Sequence, residues 1–364
     1  VDIPWFAVTA GNLTVDGSAK FTGDGTGLER VDFTQVSYGR TDMKGTLKPA
    51  PDGGWTASFH GNSFDLEPFF DDLVRGPPGR AGAEEGAPPR YTLSTDLDRV
   101  WLGPDRQIRR VVGTLVQDGG RWRTVHLRGL VAATADKGFA ITIDSTDDGK
   151  RSLSIRADDA GATLRTFDFY ENMVGGTLTI SGTFDDALPG KPLHGRVTIK
   201  NYNVVKAPAL TRLVSILALT GVVDALRGKG LSFTVLEAPF TINDGIVKVT
   251  DARATGVSLG YTAGGTIDLD AEVVDFKGTV VPAYVINSML GHIPLLGTLF
   301  TGGEKGGGVF AATYRMTGPM DDPEVSVNPL SVLAPGFLRN FFRIFGEGSA
   351  TSELPEEKDY FPEN

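Results

Sequence analysis

The chain has no cysteine among its 364 residues, which excludes disulfides, thiolate zinc sites and a cysteine nucleophile. Histidine is nearly as scarce. His60, His126, His194 and His292 stand singly, without the H-x-x-x-H spacing that gathers a metal. A basic excess is missing as well: 35 Lys and Arg stand against 45 Asp and Glu, for a net charge of −10, whereas a nucleic-acid footprint needs the opposite sign. The longest apolar run, Ala207 to Leu226, approaches membrane-spanning length but carries Arg212 and Asp224, so it does not read as a span. The chain opens on Val1 with no charged segment leading into an apolar one, and the expectation is a fragment or processed form of a larger protein.

Catalytic constellations are lacking too. "GVSLG", Gly256 to Gly260, matches the G-x-S-x-G nucleophile elbow, but that motif works only at a strand-to-helix turn, and another strand pattern follows it here. Ser258 is therefore expected on an ordinary strand facing water, with a serine hydrolase as the remote alternative. "DSTDDG" at Asp144–Gly149 opens like a calcium loop, yet its twelfth position is Ile155 in place of the bidentate acid, so a hairpin turn is the better reading. The glycines of "TGGEKGGG" lack the register of a phosphate loop. The expectation is a protein without enzyme activity, metal or cofactor.

Glycine is what the chain has in quantity, 47 residues beside 21 prolines, and this punctuation favours many short strands. Period-two alternation runs from Gly11 onward. Leu13 and Val15, then Ala19 and Phe21, fall on common faces, with Asp16-Gly17 predicted as a turn between them. Residues 74–90, "VRGPPGRAGAEEGAPPR", offer almost nothing to bury and are predicted as a flexible loop. Strand signals resume at Tyr91, and no convincing helix pattern interrupts them before Pro208, where a helix with an apolar face through Leu210 and Leu213 is predicted. The most regular alternation follows Gly230: Phe240, Ile242, Val247, Val249, Leu259, Tyr261, Ile267, Leu269, Phe276 and Val280 mark one greasy face. In all, about 20 strands are counted, a sheet on the order of 100 Å long at about 4.8 Å per strand. Periodicity leaves open what covers the greasy face, and on that ground alone a sandwich or barrel is favoured.

The predicted division is a β-sheet segment over 1–73, the loop over 74–90, and a continuing β region over 91–330 with helical insertions near 208–227 and 283–290. An amphipathic helix over 331–346 and a disordered acidic tail over 347–364 end the chain. On that helix Phe337, Leu338, Phe341, Phe342 and Phe345 share one side, opposite Arg339 and Arg343, the pattern of a membrane contact or of a cap on the open end of the sheet.

Three stretches in order, "KNYNVVKAPALTRLVSILALTGVVDALRGKGLSF", "VVPAYVINSMLGHIPLLGTLFTGG" and "GVFAATYRMTGPMDDPEVSVNPLSVLAPGFLRNFF", resemble the end of the AsmA-like family of bacterial envelope proteins, the relatives of YhdP and TamB. They span about residues 195 to 346, and the first half is similar only in texture. The resemblance implies a mainly β, elongated, strongly curved antiparallel-type sheet, a β-taco whose hydrophobic groove holds phospholipid between the inner and outer membranes. It also implies a periplasmic or envelope location, an inner-membrane anchor in a missing N-terminal part and an outer-membrane partner at the C-terminal end. A structural or assembly factor of the outer-membrane barrier is the alternative. The ten greasy residues are then the groove candidates.

Overall fold

The computed structural model describes residues 2–51, 53–70, 90–131, 137–146, 149–216, 230–282 and 312–328. The calls on 74–89, 283–290 and everything from 331 onward, with the seven cap or membrane-contact residues, lie outside them. Eighteen strands form one open curved sheet: β1 (Asp2–Ala10), β2 (Leu13–Phe21), β3 (Leu28–Tyr38), β4 (Thr41–Pro49), β5 (Trp55–Asp65), β6 (Tyr91–Trp101), β7 (Gln107–Asp118), β8 (Arg121–Val131), β9 (Gly138–Ser145), β10 (Arg151–Ala157), β11 (Met173–Phe184), β12 (Leu193–Val204), β13 (Leu231–Asn243), β14 (Ile246–Gly256), β15 (Leu259–Asp268), β16 (Val273–Pro282), β17 (Ala312–Pro319) and β18 (Glu324–Asn328). Besides a helical turn at 67–70, two helices are described, α1 (Ala160–Thr166) and α2 (Pro208–Ile216).

Each strand pairs with the next in sequence, so the strands of the described residues form a meander about 80 Å long at about 4.8 Å per strand. Every pairing is antiparallel except β5 with β6, which is parallel with Trp55 opposite Tyr91 and Asp65 opposite Trp101. The chain between them must therefore return from one edge of the sheet to the other. Arg40 clamps this junction from the β3–β4 turn. Its guanidinium donates to Asp65 at 2.8 and 2.9 Å, to Glu67 and to the Gly103 carbonyl at 3.0 Å, and lies 4.8 Å from the centre of the Trp101 ring.

The meander puts alternate connections on opposite edges. One edge has short turns such as Gly119-Gly120 and Asp244-Gly245, all four with positive φ, as right-twisted hairpins require. The other edge carries the long connections, including those that hold α1 and α2. The hairpin expected at Asp148-Gly149 is present: Gly149 has φ +77° and the Thr146 amide donates to the Lys150 carbonyl. Asp16-Gly17 is not a turn. It lies inside β2 at a register shift, and the β1–β2 turn uses Gly11 with φ +62°. Gly17 serves close approach, since a Cβ there would stand 2.3 Å from the Asp32 carbonyl oxygen.

The sequence reading also missed α1. Asp159 caps it, accepting from the Ala162 amide at 2.9 Å, but its Ala and Gly residues supply no apolar stripe to read. Gly161 lets this helix lie against the backbone of β11, where a Cβ would meet the Met173 carbonyl oxygen at 2.4 Å. Bulges bend the strands, with Arg110, Asn201 and Asp251 in left-handed φ inside β7, β12 and β14. The main hydrophobic cluster joins α1, Phe70 and one sheet face, including Phe139, Leu178, Ile199, Phe233 and Leu259.

Candidate functional groove

Directly opposed residues of neighbouring strands share a face, so the register can be followed from strand to strand. One row crosses all eighteen strands: Ile3, Ala19, Val31, Leu47, Ala57, Leu93, Leu115, Val125, Ile143, Leu153, Gly182, Gly195, Phe240, Val249, Gly265, Phe276, Met316 and Val325. Every position in it is apolar or glycine. The neighbouring row on the opposite face runs Ser18, Asp32, Thr46, Ser58, Ser94, Thr114, His126, Thr142, Ser154, Ser181 and Arg196, polar throughout. One row of a single sheet is thus greasy across all eighteen strands, while the row beside it on the opposite face is wet from β2 to β12 and then meets Pro239.

Nine of the ten groove candidates are brought together on the greasy face. Phe240, Val249 and Phe276 belong to the row above, Ile242, Val247 and Ile267 to the next, and Tyr261 opposes Val280 two residues beyond Leu259. Leu269 lies past the end of β15, in the turn, and lines the cavity described below. Leu259 and Val280 are 1% exposed, while Ile242, Val249 and Ile267 are half-buried, so the face is packed near the helices and open elsewhere.

Side chains crowd on the concave side of a bent sheet, and here aromatic rings cover glycines of the adjacent strand. A Cβ on Gly17 would meet Phe6, on Gly45 Phe59, on Gly195 Phe240, and on Gly256 Phe233, each within 2.9 Å. Tyr314 similarly reaches across Gly278 to donate to the Thr262 carbonyl at 2.9 Å. This aromatic-on-glycine pattern keeps the floor of the groove smooth, and a search for runs of large residues overlooks it.

Toward β18 the groove becomes a chamber of about 1030 Å³. Its lining comes from both edges: Phe169, Tyr170 and Glu171 from the α1–β11 connection, and Leu269, Glu272 and Asp321 from the short-turn side. α2 spans the gap. Arg212 donates to Asp322 at 2.6 Å and to the Pro323 carbonyl at 3.0 Å in the β17–β18 turn, six strands away from β12. Beside the chamber Tyr202 stacks on Phe233 with ring centroids 5.2 Å apart, and Tyr261 meets Phe233 edge to face at 5.6 Å. Burial pushes the Tyr170 phenol up to about 12 and raises those of Tyr202, Tyr261 and Tyr314 as well. Only Tyr261, among these chamber tyrosines, had been singled out from sequence; Tyr202 and Tyr314 had no periodic signal beyond their neighbours'.

One charge does occupy the greasy face. Arg151, on β10 two residues before Leu153, is buried, donating to Asp186 at 2.7 and 2.8 Å and to the Trp122 carbonyl at 2.8 Å, with its guanidinium 4.0 Å from the Phe184 ring centre. Asp186 is held below the usual carboxylate range by the Arg151 hydrogen bonds. Arg121 also approaches Asp186, at 4.0 Å, so the carboxylate is shared between two arginines at the short-turn edge. Ser258 is exposed in the turn between β14 and β15, where no helix follows and no strained elbow forms. Among the described residues no cluster of His, Asp or Glu is arranged to hold a metal ion, and no helix is long and apolar enough to cross a membrane.

Fold and face together define a class: an open, single-sheet groove protein whose apolar face is interrupted by the Arg151–Asp186 pair. The chain belongs to the YhdP protein family, whose profile matches residues 34–325, about four-fifths of its length. The match reaches well into the N-terminal half, where the sequence phrases had been similar only in texture. The family is one of cell-envelope proteins. Comparison with curated proteins and with solved structures returned no significant match.

Proposed function

We propose that the chain is a segment of a bridge-like phospholipid conduit in the periplasm, holding acyl chains along the apolar face while head groups stay at the open side. The observation that carries this reading is the unbroken row of eighteen apolar or glycine positions on a sheet with no second sheet among the described residues to cover it. Each methylene buried there contributes about 0.8 kcal/mol, so tails are held without a specific polar site. The walls are indifferent to head group, and passage from the inner to the outer membrane needs no chemistry. No cofactor enters the reading.

The test is lipid extraction and mass spectrometry of the purified protein, together with a photo-crosslinker in place of Ile267. Co-purified phospholipid that labels at position 267 supports the proposal. A lipid-free preparation, with no labelling after incubation with phospholipid vesicles, overturns it.

A further inference from the structure

At the short-turn edge of the greasy face three arginines gather around one carboxylate. Arg151 is the inner one, its side chain 7% exposed, and it is spent on Asp186 and on the Trp122 carbonyl. Arg121 comes to 4.0 Å from the same carboxylate, with its side chain 31% exposed, and makes no other ion pair among the described residues. Arg123 follows directly on the Trp122 carbonyl that Arg151 binds. It is half-buried and has neither an ion pair nor a hydrogen bond among the described residues. Its charge joins those of Arg151 and Arg121 in holding the Asp186 carboxyl down, so its guanidinium lies near the other two. The neighbouring acids do not answer the excess. Asp118 stands opposite Arg121 in the register without pairing to it, and Asp185 accepts from the Ala187 amide. Two positive charges are therefore left over beside the Trp122 and Phe184 rings, and Arg151 lies only two residues, about 7 Å, outward from Leu153 of the greasy row.

We infer that Arg121 and Arg123, braced by the Arg151–Asp186 pair, form a phosphate site at the rim of the groove, which takes the phosphodiester of a phospholipid whose tails lie on the row at Val125, Ile143 and Leu153. Guanidinium forks match phosphate oxygens in geometry as well as in charge. Because phosphate is common to phospholipids, the site fixes the depth of the lipid without reading its head-group alcohol. The lipid as bearer of the phosphate rests on the conduit reading; the phosphate site itself does not.

Calorimetric titration of the full chain with three probes tests this: dihexanoyl-phosphatidylglycerol, dihexanoylglycerol with the same tails and no phosphate, and glycerol 3-phosphate with no tails. The phosphatidylglycerol should bind about tenfold more tightly than the diacylglycerol, the scale of one charge-assisted hydrogen bond. Arg121→Gln with Arg123→Gln should remove that preference and leave diacylglycerol binding unchanged. Arg123→Gln alone removes no contact of the fold and should lower the preference about threefold, so the test stands even where the double change unsettles the strand. Equal binding of the two lipids by the parent protein, a preference untouched by either variant, or binding of none of the probes overturns the inference. Lipid binding without a phosphate preference refutes the site alone. Glycerol 3-phosphate binding that the glutamines abolish, in a protein that takes neither lipid, supports the site and refutes the conduit alone.

Discussion

Gly278→Ala tests the packing of the groove most directly. Gly278 lies in β16 opposite Ala263 on one side and Tyr314 on the other. A Cβ there would stand 1.8 Å from the Thr262 carbonyl oxygen and 2.8 Å from the Tyr314 hydroxyl. The first neighbour is backbone and cannot swing aside, so β15 and β16 must part by more than an ångström. Two hydrogen bonds converge on Thr262, from the Tyr314 hydroxyl at 2.9 Å and from the Thr279 amide to the Thr262 hydroxyl at 3.2 Å. Losing both costs about 1 kcal/mol apiece and the forced separation about 1–3 kcal/mol more, a total of about 3–5 kcal/mol. Gly264→Ala is the matched control, because its Cβ would meet nothing nearer than the Val249 carbonyl at 3.7 Å and its φ is not positive. That change should lie within about 1 kcal/mol of the parent, on the stabilising side if chain entropy dominates. Urea midpoints measure the difference, and amide exchange at Thr262 and Thr279 locates it. Equal stability of the two variants would refute the argument that glycine is required here by the ring lying across it.

Arg151→Ala removes the nearest partner of a mostly buried Asp186, leaving it only Arg121 at 4.0 Å, and should cost about 3 kcal/mol, whereas Arg151→Met with Asp186→Leu should recover most of it, as thermal melts of the three proteins will reveal. The same pair predicts acid sensitivity. Because the folded pKa of Asp186 is depressed, its contribution is complete above the unfolded value near 4 and is lost as pH falls below it, an effect that Arg151→Met with Asp186→Leu should remove from the acid limb of a stability profile. At the other limb, the raised phenols of Tyr202, Tyr261 and Tyr314 contribute stability that is intact below pH 10 and declines as pH rises further; absorbance at 295 nm should show three of the eight tyrosines ionising late, with unfolding. Asp159→Ala removes the cap of α1 and should cost about 1 kcal/mol in melts. Ser258→Ala should change neither stability nor fluorophosphonate labelling, which is expected to be nil in both proteins.

Much of the fold was legible in the sequence, and the residues explain where legibility stopped. Alternation at Phe240/Ile242, Val247/Val249 and Ile267 put nine of ten groove candidates on one face, because a half-buried strand has no other way to sort its side chains. Asp16-Gly17 misled because an Asp-Gly pair suits a hairpin equally well and only Phe6 and Asp32, distant in sequence, make the glycine necessary in mid-strand. α1 escaped because Ala160, Gly161 and Ala162 are buried for closeness to β11, with no apolar stripe. The count of about 20 strands stands beside eighteen among the described residues.

By itself the sequence determined that the chain alternates in short strands with one greasy face, that it has no cysteine, and that an aromatic, arginine-bearing segment precedes its acidic tail. These are local properties, set by side-chain period and turn chemistry within a few residues. Only the tertiary structure decided that the greasy positions of eighteen strands align into one row, since register is carried through bulges at Arg110 and Asp251 and through the parallel β5–β6 junction, none of which has a local signature. It also decided that Arg212 of α2 meets Asp322 across the groove and so encloses a chamber, a contact between residues 110 apart in the chain that curvature alone brings together.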